Sequence, residues 1–339
     1  MATLRLRYVD TDVVGGAGNG TSWANAYASL NAAEQAEDNT GVLTTTDEYV
    51  EFDCKGVTLA DVAQATVSGW TTDATRYISI YTEQANRHDG KWNTAQYRLS
   101  LANASVFLIW EDYVRLDGLQ VQKTASSNPD QSCIQVTGQN AANEIWISNC
   151  ITRQAGNNSY VEAGIHVLDA DSIVKIWNCV LYGGGTYASS YNAALEVQYC
   201  ATVEVYSSTL IGGYRGLSRY GGTVTAKNCY ATSIAGTVTQ TNCATSDTTA
   251  DGTDPHDSVA KNTDTFVNVT AGTEDFHLAA DGLSPLQGHG VDTSGDAAPL
   301  NFTTDIDGQT RDATWDIGAD AWYVAAGGTI LPQMIAHHG

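Results

Sequence analysis

Between Ile145 and Cys243 the chain alternates apolar and polar residues in short bursts, and one burst keeps returning. It reads Ile145-Trp146-Ile147-Ser148-Asn149-Cys150, then Val174-Lys175-Ile176-Trp177-Asn178-Cys179. It returns as Val203-Glu204-Val205-Tyr206-Ser207-Ser208, as Val224-Thr225-Ala226-Lys227-Asn228-Cys229 and as Val238-Thr239-Gln240-Thr241-Asn242-Cys243, at spacings of 29, 29, 21 and 14 residues. Alternating β-branched residues predict a half-buried strand, and Asn accepts the left-handed turn that ends one. A second burst runs ahead of the first, at Ile134-Gln135-Val136, Ile165-His166-Val167, Leu195-Glu196-Val197 and, more weakly, Leu217-Ser218-Arg219. A third follows it at Val180-Leu181 and Leu210-Ile211. Three short strands per repeat, at a period in the twenties, predict a solenoid. The fold class expected is all-β, with each repeat forming one coil of a parallel β-helix. Coils stack about 4.8 Å apart, so like residues sit on like residues.

Around this regular stretch the pattern changes twice. Residues 1–46 read as an N-terminal cap: Leu4, Leu6 and Tyr8 alternate as a strand, a glycine loop follows, and Ala24 to Ala36 places Leu30 and Ala33 at helical spacing behind Thr21 or Ser22 as the helix cap. Residues 47–245 read as the coils, the earlier ones marked by Glu48–Phe52, Arg76–Tyr81, Tyr97–Leu101, Val106–Trp110 and Val114–Val121. Residues 246–339 read as an irregular closing segment with a mildly apolar docking tail.

Composition narrows the functions. Against 38 Asp and Glu there are 16 Lys and Arg, a formal charge of −22, so the basic stripe that nucleic acid requires is missing and an anionic membrane surface is disfavoured. The seven cysteines show no zinc spacing. Four of them follow the repeated Asn, which predicts one column of small, reduced, buried side chains. No signal-peptide core is visible at the N-terminus, from which a protein retained where it is made is expected.

Candidate chemistry is sparse. His88, Asp89, Lys91 and Trp92 share a polar loop, read as solvated. His166, Glu196, Glu204 and Lys175 are expected to point outward from the coils, isolated from comparable neighbours. Glu162 lies near His166, and Asp169 with Asp171 is a carboxylate pair of the kind glycoside hydrolysis uses, but in a turn where Asp is expected anyway. Gly288-His289-Gly290 reads as a turn, as does Asp305-Ile306-Asp307-Gly308, which lacks the remaining ligands of a calcium loop. Asp254, His256 and Asp257 have nothing nearby to complete a metal site. Trp146, Trp177 and Tyr206 are expected to share one repeat position, as a sugar platform or as cover for that face. No acidic cluster beside an Arg or Lys assembles from the sequence, so no catalytic, cofactor-binding or metal residue is singled out and no cofactor is expected.

The opening Tyr8-Val9-Asp10, Gly15-Gly16 and Gly20-Thr21-Ser22-Trp23-Ala24-Asn25-Ala26 resemble the start of many right-handed parallel β-helix proteins of the pectate-lyase-like superfamily. Asp275-Phe276-His277-Leu278, Ser284-Pro285-Leu286, Asp305-Ile306-Asp307-Gly308-Gln309-Thr310-Arg311 and Asp316-Ile317-Gly318-Ala319-Asp320 resemble the closing motif of the same group. The resemblance implies the fold and leaves the function open, since such solenoids host lyases, hydrolases, adhesins and phage spikes. Without signal or anchor, the chain is most similar in type to proteins encoded by tailed bacteriophages. That implies a non-enzymatic structural virion protein: a capsid decoration, head fibre or spike-like component. It would sit in the virion, bound to other virion proteins and to itself as a homo-oligomer, a trimer being one form open to it. The alternatives are a tailspike-type polysaccharide depolymerase, lyase or glycoside hydrolase, and a carbohydrate-binding adhesin that meets a cell-surface glycan.

Overall fold

The computed structural model describes residues 2–38, 42–125, 131–137, 143–154, 162–168, 172–182, 192–199, 202–280, 282 and 284–322. The repeated bursts form a right-handed single-stranded parallel β-helix with three sheets. Sheet A has nine strands in chain order: Thr3–Asp10, Glu48–Lys55, Ile78–Tyr81, Val114–Asp117, Glu144–Ser148, Ile173–Trp177, Thr202–Tyr206, Thr223–Lys227 and Thr239–Thr241. Sheets B and C have seven strands each, B running from Leu99–Ala102 to Ala244–Thr245 and C from Ala65–Val67 to Ile234–Ala235. Every pairing within the three sheets is parallel, and the register keeps like on like: Ile145 pairs with Val174, Val174 with Val203 and Val203 with Val224. These inward residues are essentially fully buried and form one continuous core. Each contributes about 1.5–3 kcal/mol of hydrophobic free energy, as an upper estimate.

The joint from sheet A to sheet B is only two residues long, and the repeated Asn sits in it. Asn149, Asn178, Ser207, Asn228 and Asn242 have φ of 50°, 50°, 41°, 55° and 49°. Asn tolerates this left-handed conformation best among residues with a side chain. One coil earlier Gly118 takes the position, with φ of 72°. The next residue turns inward, and Cys150, Cys179, Cys229 and Cys243 are fully buried and free. Ser208 fills the same place, its hydroxyl accepting the Cys179 N–H at 3.1 Å. Cys200 lies outside the described residues.

The two ends are closed differently. In the first strand Arg5, Arg7 and Val9 occupy the inward positions, in register with Val50, Phe52 and Cys54. Two arginines at the end of an apolar core require a buried partner. Glu37 supplies it from the helix Leu30–Asp38, whose Leu30 and Ala33 cover the first layer. That helix begins later than the alanine-rich stretch predicts. Ser22 makes no capping bond and precedes only a 3-10 turn at Trp23–Asn25, because Tyr27 is drawn into a bridge beside Val9. Ser29 and Asp61 cap the helix instead, accepting the Ala32 and Leu30 N–H groups at 3.1 and 2.7 Å. No helix among the described residues is long and apolar enough to cross a membrane.

The closing segment has one short antiparallel pair, Phe266–Asn268 with Asp275–Leu278. Its Phe266, Phe276, Leu278, Leu286, Ile306 and Ile317 pack on the outward residues Ile151, Val180, Tyr182, Ile211 and Tyr230 of sheet B. Sheet B is therefore buried on both faces there, which explains the consecutive apolar residues Val180-Leu181-Tyr182 and Leu210-Ile211. The asparagine ladder serves a second time at this contact. Asn228 donates to the Val291 carbonyl at 2.8 Å and accepts the Val291 N–H at 2.9 Å. Asn178 donates to the Thr304 carbonyl and accepts from Arg311, while Asn242 donates to the His289 carbonyl. The residue that turns the chain thus also grips the segment lying over the turn.

Candidate functional site

Outward side chains of sheet A form columns along the solenoid. One runs Leu6, Glu51, Ser79, Arg115, Trp146, Lys175, Glu204, Thr225. The next, two residues further along each strand, runs Tyr8, Asp53, Tyr81, Asp117, Ser148, Trp177, Tyr206, Lys227. Trp146 therefore does not share a position with Trp177 and Tyr206, contrary to the sequence expectation. The burst beginning at Ile145 carries its aromatic one outward position earlier than the other two. Over the later coils this face is covered by the closing segment. Phe302 stacks on Trp177 with centroids 6.4 Å apart and touches Trp315, Lys175 donates to the Ala298 carbonyl, and Lys227 pairs with Asp296 at 2.6 Å.

Over the earlier coils the same face carries aromatic and charged side chains with no such cover. Tyr49 and Tyr77 stack at 5.0 Å, and the Arg115 guanidinium is held between Tyr77 and Trp146, at 3.4 and 4.0 Å from their ring centroids. Lys55 lies over Trp23 at 4.2 Å, and Trp23 packs against Tyr8. Ser79 stands between Glu51 and Arg115 in the column and between Tyr77 and Tyr81 along its strand. Its small side chain therefore has a carboxylate on the rung to one side, a guanidinium on the rung to the other, and a phenol two residues away in each direction.

Two carboxylates stand on the strand next to Ser79, Glu51 in register with it and Asp53 in register with Tyr81. Glu51 and Asp53 are alternate residues, which places them about 6.7 Å apart at Cα. Asp53 is 2% exposed, and its Oδ1 has no hydrogen-bond partner. Burial, reinforced by the negative charges of Glu83 and Glu51 and opposed by Lys55, pushes its carboxyl up to about 7. Burial also raises Glu51, with Arg115 pulling the other way. Tyr81 is raised by its burial and by Asp53, Glu51 and Glu83. A buried acid whose pKa lies near neutral pH, close to a second carboxylate, is a feature that general acid–base catalysis uses.

The residues singled out in the sequence fall elsewhere. His88 is buried, not solvated. It bonds through Nε2 to the Asn149 carbonyl at 2.8 Å and through Nδ1 to the Gly90 N–H at 3.2 Å, and burial with the nearby Arg87 lowers it to about 4. Asp89 is exposed, while Lys91 and Trp92 line a cleft of about 410 Å³ with Arg153 and Glu274. His166 and Glu196 are not isolated: they are partners on adjacent coils of sheet C, 3.8 Å apart and both buried, and burial lowers His166 to about 4. Lys175 and Glu204 are likewise adjacent rungs, with Lys175 paired to Glu144 at 2.6 Å. Glu162 begins the strand that also carries His166, and Asp169 and Asp171 lie outside the described residues. Asp257 turns to Thr245 and Ala250, away from Asp254 and His256, whose ring meets His289 at 4.3 Å. Asp305 accepts the N–H groups of Asp307 and Gln309 within its turn. Asp307 reaches a buried group with His277 and Asp320. The expected strand Glu48–Phe52 contains Glu51 but stops before Asp53, which the structure adds by extending the strand to Lys55, and the early coils lack the Asn-Cys phrase that would put either residue in register with Ser79 and Arg115.

No family model matches this chain, and no curated protein matches it. Among solved structures, the crystal structure of pectate lyase Pel9A is similar over 94% of this chain and 96% of that one, with 13% sequence identity and a TM-score of 0.31. At that level no activity is taken from the likeness, and the parallel register above carries the fold.

Proposed function

We propose that this β-helix binds a glycan along the early coils of sheet A and hydrolyses it there, as a polysaccharide depolymerase. The observation that supports this reading is the Glu51–Asp53 pair on the strand beside Ser79. An inverting glycosidase needs two carboxyl groups, about 6.5–9.5 Å apart so that water fits between acid and sugar, and this is the acidic pair that stands among aromatic side chains on the outer face. Glu51 would activate water, and Asp53, buried in the free protein, would protonate the leaving oxygen once glycan displaces the side chains over it. Tyr49, Tyr81 and Trp146 would provide apolar faces on which sugar rings pack, Tyr77 being taken up between Tyr49 and Arg115. With Glu51, Asp53, Glu83 and Asp117 at the site and a chain charge of −22, a polyanionic glycan would be repelled, so the substrate class is a neutral polysaccharide. The alternative, a non-enzymatic component of a tailed-phage particle, draws on the sequence resemblance and on the stability expected of an uninterrupted solenoid.

The test is release of reducing ends from a panel of neutral capsular and exopolysaccharides. The wild type should release oligosaccharides. Asp53→Asn should lower the rate by about 10²–10⁴-fold while still retaining glycan on an affinity gel. Retention without release by the wild type would move the assignment to an adhesin. Neither retention nor release, with the chain found by mass spectrometry in purified particles, would move it to a structural virion protein.

A further inference from the structure

We propose that His277, Asp307 and Asp320 bind one divalent transition-metal ion, of the zinc or manganese class, inside the closing segment. One donor atom from each lies within 4.8 Å of the others. The three come from separate pieces of chain: the strand Asp275–Leu278, the turn at Asp305–Gly308, and the final Asp316–Asp320 stretch. His277 is bonded through Nδ1 to the Asp275 carboxylate. That bond takes up Nδ1 and leaves Nε2 facing Asp307, whose Oδ2 is 3.0 Å away: a hydrogen bond in the metal-free protein, and a donor pair for a metal that displaces the Nε2 proton. A carboxylate behind a histidine whose far nitrogen faces further carboxylates is the support that metal-binding imidazoles use.

Independent of the clustering, two oxygens point to a ligand. Asp307 Oδ1 and Asp320 Oδ1 are buried with no hydrogen-bond partner, and Asp320 is only 4% exposed. Leaving such oxygens unmatched is costly. The neighbouring cations are turned elsewhere. Arg311 donates to Asn178 and to the carbonyls of Thr304, Gly318, Ala319 and Asp320, Lys91 pairs with Asp275, and Arg87 faces Asp117 and the Ile306 carbonyl. Gly90 passes over the group, and a Cβ there would lie 2.3 Å from His277 Nε2 and 2.4 Å from Asp307 Oδ1. Any side chain at this position would collide with both donors, so the backbone can pass here only as glycine. One imidazole with two carboxylates suits a borderline divalent ion better than calcium, which takes oxygen donors throughout.

The experiment uses the full chain carrying His337→Ala and His338→Ala, so that tail histidines do not take up metal. The protein is stripped with EDTA, dialysed against zinc or manganese, and measured for bound metal and thermal midpoint. About one equivalent per chain and a raised midpoint are expected, since an ion bound only by the folded state stabilises it. Asp320→Asn, which keeps an acceptor for the Leu278 N–H, should weaken binding at least about tenfold. If that variant fails to fold, calorimetric titration of the parent with zinc decides. A saturable single site supports the proposal, and its absence overturns it in favour of a metal-free imidazolium held between Asp275 and Asp307. Equal metal in the parent and Asp320→Asn overturns it as well.

Discussion

The two halves of the outer face of sheet A are built from the same columns and end up with different surroundings. Over the later coils Lys175, Trp177 and Lys227 are taken up by Ala298, Phe302 and Asp296 of the closing segment. Over the earlier coils Arg115 lies between Tyr77 and Trp146 and donates to the Ala74 carbonyl, and among the described residues no closing-segment contact with Glu51, Asp53, Ser79 or Arg115 is seen. A parallel β-helix repeats its geometry, so the strand backbone does not distinguish the halves. What differs is whether a second layer of chain lies on top, and that depends on side chains able to hold it. The ladder residue Asn228 grips Val291 by both amide atoms, whereas the joint of the coil containing Val114–Asp117 carries Gly118, which has no amide to offer.

The largest effect that would break this contrast is on the covered half. Asn228→Ala loses the left-handed preference and leaves the Val291 amide and carbonyl unmatched, a destabilisation of about 3 kcal/mol. Asn228→Gly keeps the backbone and loses only the grip, so it should cost less than Asn228→Ala, and denaturant unfolding of the pair separates the two duties. Ser79→Ala, on the open half, should fall within about 0.5 kcal/mol of wild type.

A second, intermediate effect depends on pH. Asp53 is raised from 3.8 to about 7 by burial and by Glu83. Its folded-state pKa lies above its unfolded one, so its contribution is complete below pH 3.8 and is lost as pH rises through about 7. Asp53→Asn should therefore match wild-type stability near the acid end of that window and exceed it above the upper end. Thermal midpoints measured across the window check this, and parallel curves for the two proteins would refute a raised Asp53. A smaller effect, exceeding only that of Ser79→Ala, belongs to the stack around Arg115: Arg115→Leu should cost about 0.5–1 kcal/mol of stability through lost contact with Tyr77 and Trp146, a shift that chemical denaturation resolves.

The sequence showed the coils because their strands end on an Asn-Cys joint whose geometry forces a recognisable residue pair. It showed the cysteine column for the same reason. It did not show that the asparagines hold the closing segment, since a left-handed turn explains them fully without it. Trp146 and Trp177 stand one outward position apart because the two bursts carry their aromatic at different distances from the Asn-Cys joint. Glu51 is legible in the expected strand Glu48–Phe52 and Asp53 is not, and their register with Ser79, Tyr81 and Arg115 depends on pairing among early coils of unequal length. His277 and Asp307 are separated by thirty residues of irregular chain, and no periodicity connects them.

Solenoids made of stacked repeats ordinarily fray from their ends, each rung answering only to its neighbours. Here the chain runs down the column of coils and then doubles back. Gln84 donates to the Asp307 carbonyl across 223 positions, and Arg87 donates to the Ile306 carbonyl across 219. The returning length is a lengthwise strap. With it in place the rungs from Thr82 to Thr245 cannot melt one by one without first shedding the strap, so they should open together as a single unit. The strap can be laid only after the last rung is wound, which makes its docking the final act of folding and the latch against unravelling.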